Sequence, residues 1–210
     1  KVVYSCLGFI VLGEIVARVA GRPMDSLLAD RVFRPLGMGD TCFNPQGALR
    51  ERAAATERCK WRGRVIVGEV HDENARAMGG VSGNAGLFST AQDLVRFCRM
   101  LLGQGTFVGV RILSPASVRC MTTDYTGARL GESRGLGWTL RGEGVFSSAG
   151  DLMSPRAFGH TGFTGTSIWI DPELDIFAIL LTNRVHFGRD NNAHIRLRPT
   201  FHNAVVSLLC

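Results

Sequence analysis

An α+β fold, with an antiparallel sheet flanked by helices, is what this sequence predicts, and three observations carry the reading. Helix signals gather in the first half of the 210 residues and strand signals in the second. Residues 166–170 and 176–181 are β-branched or apolar almost throughout, without the alternation of a half-solvated strand. Between them, Asp171-Pro172-Glu173-Leu174 has Asp first and Pro second, the pattern of a type I turn. The hairpin is therefore expected to be central in a sheet, with helices packed on each side.

From the N-terminus, Ser5 is placed to cap a helix running to about Ala20, with Leu7, Ile10, Val11, Ile15 and Val19 at helical spacing and Gly21 ending it. Pro23 opens a second helix over residues 24–36. Residues 40–64 are polar and irregular, with a short strand at 64–67, and His71-Asp72-Glu73-Asn74 reads as a loop entering a turn. Residues 79–86 form a glycine-rich loop. Thr90 and Asp93 then supply a cap and a first-turn acid for a helix from Ala91 to about Leu102. Ser114-Pro115 starts a short helix to about Met121. Residues 134–140 predict a strand centred on Trp138, and Pro199 opens a last helix whose Phe201, Val205 and Leu208 share a face. The length suits one domain, with residues 1–125 mainly helical and 126–210 carrying strands and the last helix.

A hydrophobic content of 45% and a charged content of 20% are ordinary for a globular chain. The net charge is +6, yet the cations, 22 Arg and two Lys, are scattered. Neither a dense basic run nor interleaved aromatics mark the chain as a nucleic-acid binder. Cys6, Cys42, Cys59, Cys98, Cys120 and Cys210 form no CxxC pair or zinc-ligand spacing, and several fall at apolar helix positions, so buried free thiols are expected. The even count leaves disulfides open, and with them the compartment, cell envelope or cytoplasm. The opening 21 residues imitate a signal peptide, but Glu14 and Arg18 interrupt the apolar run at i, i+4, as on the wet face of a helix. No stretch reaches the ~18 unbroken apolar residues of a membrane helix.

The motifs narrow the chemistry. No GxSxG nucleophile elbow occurs, since Gly80-Val81-Ser82-Gly83-Asn84 ends in Asn. The glycine loop lacks the Gly-Lys-Ser/Thr of a phosphate loop and follows no strong strand, so no nucleotide cofactor is expected. His186, His194 and His202 read as surface or capping residues, without carboxylate or Cys at ligand spacing, and no metal is expected. Two stretches remain. Tyr4-Ser5-Cys6 stands at a helix N-terminus, where the macrodipole favours a phenolate and Tyr4 could act as a general base. Equally, Tyr4 could staple onto its own helix. His160-Thr161-Gly162 puts polar groups at a strand edge, where the missing glycine side chain lets another molecule approach the backbone.

In one order, YSCLGFIVLGEIVARVAGRPM, RVFRPLGM, VHDENARAMGGVSGNAGLFSTAQDLVRF and GHTGFTGTSIWIDPELDIFAILLTNRVH closely resemble the β-lactamase-related serine hydrolases. That group holds class C β-lactamases, penicillin-binding D-Ala-D-Ala carboxypeptidases and related esterases. The resemblance runs from Tyr4 to the last helix. It implies a β-lactamase/transpeptidase-like fold and acyl-enzyme chemistry on a small-molecule or peptide acyl substrate: a β-lactam, a D-Ala-D-Ala peptide or an ester. The family's tyrosine motif falls on Tyr4, the phenolic base, and its Lys/His-Thr-Gly strand on His160, Thr161 and Gly162, which would bind the substrate carboxylate. The Phe163 N–H would be an oxyanion-hole donor. His160 in place of the commoner Lys implies a weaker, pH-dependent charge.

Two departures qualify this. Cys6 stands where the tyrosine motif has Asn or Asp, and a thiol orients a substrate poorly. At a helix N-terminus Cys6 could instead be a nucleophile. No Ser-x-x-Lys occurs: nothing precedes Lys1, and Glu57 lies three before Lys60. The resemblance therefore implies that the nucleophile helix and the first strands lie outside these residues. It further implies that this chain alone is inactive, and that its uncovered sheet edges and apolar helix faces pair with another copy. The alternative is an inactive penicillin-binding fold used for ligand binding or regulation.

Overall fold

A computed structural model describes residues 2–127, 130–143 and 146–209. It has the expected α+β class, and its described residues divide into two compact units. One comprises Tyr4–Arg96 with Val185–Arg189, the other Phe97–Arg184 with residues 2–3 and 190–209.

In the first unit, α1 (Cys6–Ala20) starts after Ser5, which has the extended backbone of an N-cap but makes no side-chain cap bond. Tyr4 instead lies across the first turn, its ring centroid 6.1 Å from that of Phe9, the spacing of a hydrophobic staple. The glycine loop explains how α1 is seated. A Cβ on Gly83 would stand 2.0 Å from the Phe9 carbonyl oxygen, so only glycine lets this backbone lie against the helix. Ser82 within the loop is buried, with its Oγ 2.7 Å from Asn84 Oδ1. The second helix keeps α geometry only over α2 (Met24–Leu28) and widens into a π turn over Ala29–Phe33. Asp30 on that turn pairs with Arg22 and Arg34.

The irregular stretch resolves into β1 (Cys42–Phe43), α3 (Gly47–Glu51), β2 (Arg58–Cys59) and β3 (Arg64–Val65). The loop expected at His71 is a short helix, α4 (Glu73–Ala77), because the Asp72 carboxylate accepts from the Ala75 N–H. β4 (Leu87–Phe88) pairs with β1. In α5 (Ala91–Leu102), Thr90 caps as expected, accepting from the Asp93 N–H. The Asp93 carboxylate faces away from solvent and accepts from the Asp40 N–H and the Thr41 hydroxyl.

In the second unit, β5 (Thr106–Phe107) pairs with β6 (Val110–Arg111). α6 (Pro115–Met121) is capped by Ser114, which accepts from the Ser117 N–H. The strand expected at 134–140 shrinks to β7 (Thr139–Leu140). The chain turns back on itself between Gly135 and Trp138, leaving one bridge between Arg134 and Thr139. β8 (Phe158–Thr161), β9 (Ser167–Asp171) and β10 (Ile176–Leu180) complete an antiparallel sheet of order β10-β9-β8-β7. β9 is the covered strand, whereas β10 is half-buried and an edge strand among the described residues. The hairpin is therefore central on one side only. α7 (Ala193–Leu209) starts six residues before Pro199, which sits inside it, so that proline does not open the helix. Trp169 is fully buried at the core with Ala149, Met153, Ala157, Ala178 and Val206. Phe201 and Val205 of α7 join it, but Leu208 faces solvent and His202 is buried.

Candidate active site

The sequence-predicted residues fall in both units: Tyr4 and Cys6 in the first, His160, Thr161, Gly162 and Phe163 in the second. Tyr4 is half-exposed immediately before α1, and Cys6 is exposed at its first helical position.

The strand edge is built from three sides. β8 pairs with β7 through Phe158 and Gly159, ahead of His160 and Thr161. On the other side they face Ile168 and Ser167 of β9. Gly159 sits opposite Trp169, where a Cβ would meet the indole at 2.6 Å and the Ile168 carbonyl at 2.2 Å. A Cβ on Gly162 would fall 2.2 Å from Thr166 Oγ1, so a neighbouring side chain by itself requires glycine there. The Gly162 N–H donates to the Thr166 carbonyl at 2.8 Å. Phe163, on the turn that follows, lies under the Arg184 guanidinium, 4.5 Å from ring centroid to carbon, and accepts from Arg184 Nε at 2.8 Å.

Arg198 of α7 was not anticipated. It is buried, and one guanidinium nitrogen donates to the carbonyls of Gly162 at 2.7 Å and Thr166 at 2.9 Å, locking the turn that ends β8. Its Nε is buried. Arg198 and Thr161 line a cavity of about 400 Å³ together with Arg134, Arg141, Ser133 and Ser148. Arg134 pairs with Glu132 on the same wall, and Arg141 is occupied by the carbonyls of Gly142, Gly150 and Asp151. Among the described residues Arg198 Nε has no acceptor, which burial makes costly.

His160 Nδ1 lies 2.8 Å from the Thr161 carbonyl oxygen, which places the proton of the neutral ring on Nδ1. Burial lowers its pKa, the hydrogen bond to Thr161 opposes this, and the nearby Arg134 and Arg198 lower it further. The ring is neutral near pH 7, and the fixed positive charge at this edge belongs to the arginines.

The buried Asp171 of the hairpin turn holds β9 to a second loop. It accepts from the backbone N–H groups of Ser154, Glu173 and Leu174 and from the Ser154 hydroxyl. Among the three histidines read as surface or capping residues, His202 is fully buried between the Ser148 carbonyl and the Ser167 hydroxyl. His186 meets the Thr56 carbonyl and His194 the Asn191 carbonyl. Five cysteines carry free thiols. Cys59 and Cys98 are buried as expected, but Cys6 and Cys120 are exposed, and Cys210 lies outside the described residues. No three His, Cys, Asp or Glu side chains gather to hold a metal among the described residues.

The profile of the Beta-lactamase family matches residues 1–199. This chain belongs to the beta-lactamase family. It is 37% identical over 201 residues to a protein of Escherichia coli O157:H7 named "Putative D-alanyl-D-alanine carboxypeptidase", covering 89% of this chain and 46% of that protein. It is 36% identical over 208 residues to the N-acetylmuramyl-L-alanine amidase of Bacillus subtilis strain 168, covering 89% and 45%. The chain therefore spans about half the length of these relatives. A beta-lactamase from Mycobacterium bovis superposes with a TM-score of 0.69 at 25% identity, over 98% of this chain and 64% of that one. Simvastatin synthase from Aspergillus terreus, a mutant form, reaches 0.72 at 19% identity over 98% and 55%, a likeness of fold. These relatives thus carry carboxypeptidase and amidase names, and the α+β fold of this chain is shared with the solved structures.

Proposed function

We propose that this beta-lactamase-family chain forms the substrate-holding part of a serine hydrolase that transfers the acyl group of a carboxylate-bearing peptide, β-lactam or ester. The observation that carries this reading is the His160-Thr161-Gly162 edge, whose Thr161 lines a cavity together with Arg134, Arg141 and Arg198. A carboxylate is the group that such a cluster of guanidiniums would favour. Thr161 and the Phe163 N–H would flank the acyl carbonyl, and Tyr4 would carry the proton from nucleophile to leaving group. The carboxypeptidase and amidase names of the relatives favour a peptide substrate.

The family reaction also needs a serine nucleophile, and these 210 residues contain no Ser-x-x-Lys. We therefore propose that acylation requires residues beyond this chain. Exposing the intact protein to a fluorescent penicillin and to a fluorophosphonate tests both points. Labelling of the intact protein, abolished by Tyr4→Phe and weakened by Arg198→Lys, is expected, with none on the 210-residue chain alone. Labelling of neither form by either probe would overturn the hydrolase reading.

Cys6 at the tyrosine motif's polar position supports a second reading, a non-catalytic binding module. Saturable ligand affinity without turnover in the intact protein would favour it. Measurable ester hydrolysis would exclude it.

A further inference from the structure

The 22 arginines look scattered along the chain, but folding concentrates some of them around one hairpin of the first unit. β2 and β3 pair as Arg58 with Val65 and Cys59 with Arg64, and Lys60-Trp61-Arg62-Gly63 forms the tip. The base of this hairpin is rigid. The ladder continues through Thr56 and Ile66, the Arg62 guanidinium donates to the Val70 and His71 carbonyls, and the Arg58 N–H donates to His186. That last bond sets Phe187 beside the tip. Together Arg58, Cys59, Lys60, Arg64, Val65 and Phe187 line a depression of about 480 Å³.

Two features of the tip point to a partner. The first is apolar: Phe187 is 94% exposed and Trp61 62% exposed on a hairpin whose base is pinned. The second is charge. Arg58 and Lys60 have no carboxylate partner among the described residues. Arg64 shares the single carboxylate of Glu69 with Arg50, Arg62 and Arg76. Cations in excess beside exposed Trp and Phe are the composition of an interfacial anchor.

We propose that the β2–β3 hairpin and the Phe187 loop form a docking surface for a bilayer bearing anionic phospholipid. The aromatic pair enters the headgroup region while Arg58, Lys60 and Arg64 meet the phosphates. A single-stranded nucleic acid fits less well. It stacks bases on free aromatic faces, and the Trp61 ring already has the guanidinium carbons of Arg62 and Arg76 at 5.2 and 5.3 Å from its centroid. An acidic protein would satisfy the charges but would leave the two aromatic rings without a purpose.

Co-sedimentation with vesicles of equal parts phosphatidylglycerol and phosphatidylcholine, against vesicles of phosphatidylcholine alone, tests the assignment. Binding to the anionic vesicles is expected, with a loss on adding salt. The paired substitution Arg58→Glu with Lys60→Glu should weaken it roughly twentyfold or more, at about fivefold per cation. Lys60→Ala with Phe187→Ala changes only exposed side chains, so it preserves the fold and should still weaken binding severalfold. Equal binding to both vesicle types would assign the effect to apolar surface elsewhere and overturn the proposal. So would binding to neither, binding indifferent to these substitutions, or tighter capture of a single-stranded oligonucleotide than of vesicles.

Discussion

At His160 the strand edge carries a ring that burial keeps neutral near pH 7, so the anion binding proposed for it would be switched by pH. Protonation becomes complete only as the pH falls through a pKa below the usual ~6.5. Affinity of the intact protein for a carboxylate ligand should therefore rise as the pH is lowered toward that point. His160→Lys should tighten the same ligand roughly tenfold at pH 8 and flatten the profile, because an ammonium is charged across the whole range. Calorimetric titration at several pH values reads both effects, and a wild-type affinity independent of pH would remove His160 from the site. Asp171 offers a contrast at the same scale. It acts as a structural acceptor, and Asp171→Ala would remove the acceptor of part-buried N–H groups at both Ser154 and the hairpin turn. A loss of about 2–4 kcal/mol in chemical denaturation is expected.

The elements show why part of the fold was legible and part was not. α5 and α6 begin and end where the sequence predicts, because each carries its own local signal: a Thr90 cap for one, Ser114-Pro115 for the other. The start of α7 was misplaced since Pro199 imitates a first-turn residue, yet the helix runs through it. The 134–140 strand was overextended because the apolar Leu136 and Trp138 hide a turn that Gly135 and Gly137 permit. For the site, the His160-Thr161-Gly162 tripeptide is visible in one dimension. Arg198 is not, because it reaches Gly162 across 36 residues of chain. The partnership of Gly159 with Trp169 is shorter-range, set by the β8–β9 register, and can be tested directly. Gly159→Ala would press a methyl group into the indole and cost about 1–3 kcal/mol, read as a lowered Tm. An unchanged Tm would mean that β8 and β9 separate more easily than their register suggests.

For the molecule as a whole, acid works against the fold from two directions. Burial lowers the pKa of His202, so above pH ~6.5 it is neutral in both states and its contribution is fully present. Below that, the unfolded chain takes up the proton first and stability is lost. The arginine-paired Glu57, Glu69 and Asp30 have lowered pKa values, and their contribution fades further down, as the pH falls through those folded values. Tm should thus drop from pH 7 to pH 5, and His202→Asn should flatten that segment of the curve while leaving the loss at lower pH. Association is a second global expectation. α1 turns Leu7, Val11, Ile15 and Val19 to solvent at helical spacing, and β10 is an edge strand among the described residues. Sedimentation velocity on the 210-residue chain should show concentration-dependent self-association, reduced by Val11→Arg with Val19→Arg. A monomer at all concentrations would count against it.

The thiols, described above only by their burial, give the protein a built-in reporter. Burial pushes Cys98 up to about 12, which leaves almost no thiolate for an alkylating dye to find, whereas Cys6 and Cys120 stand in solvent. With Cys42, Cys120 and Cys210 changed to serine, a maleimide fluorophore would settle on Cys6, two residues from Tyr4. Quenching or brightening of that dye on adding a ligand would then time its arrival at the tyrosine end of the fold, independently of any turnover.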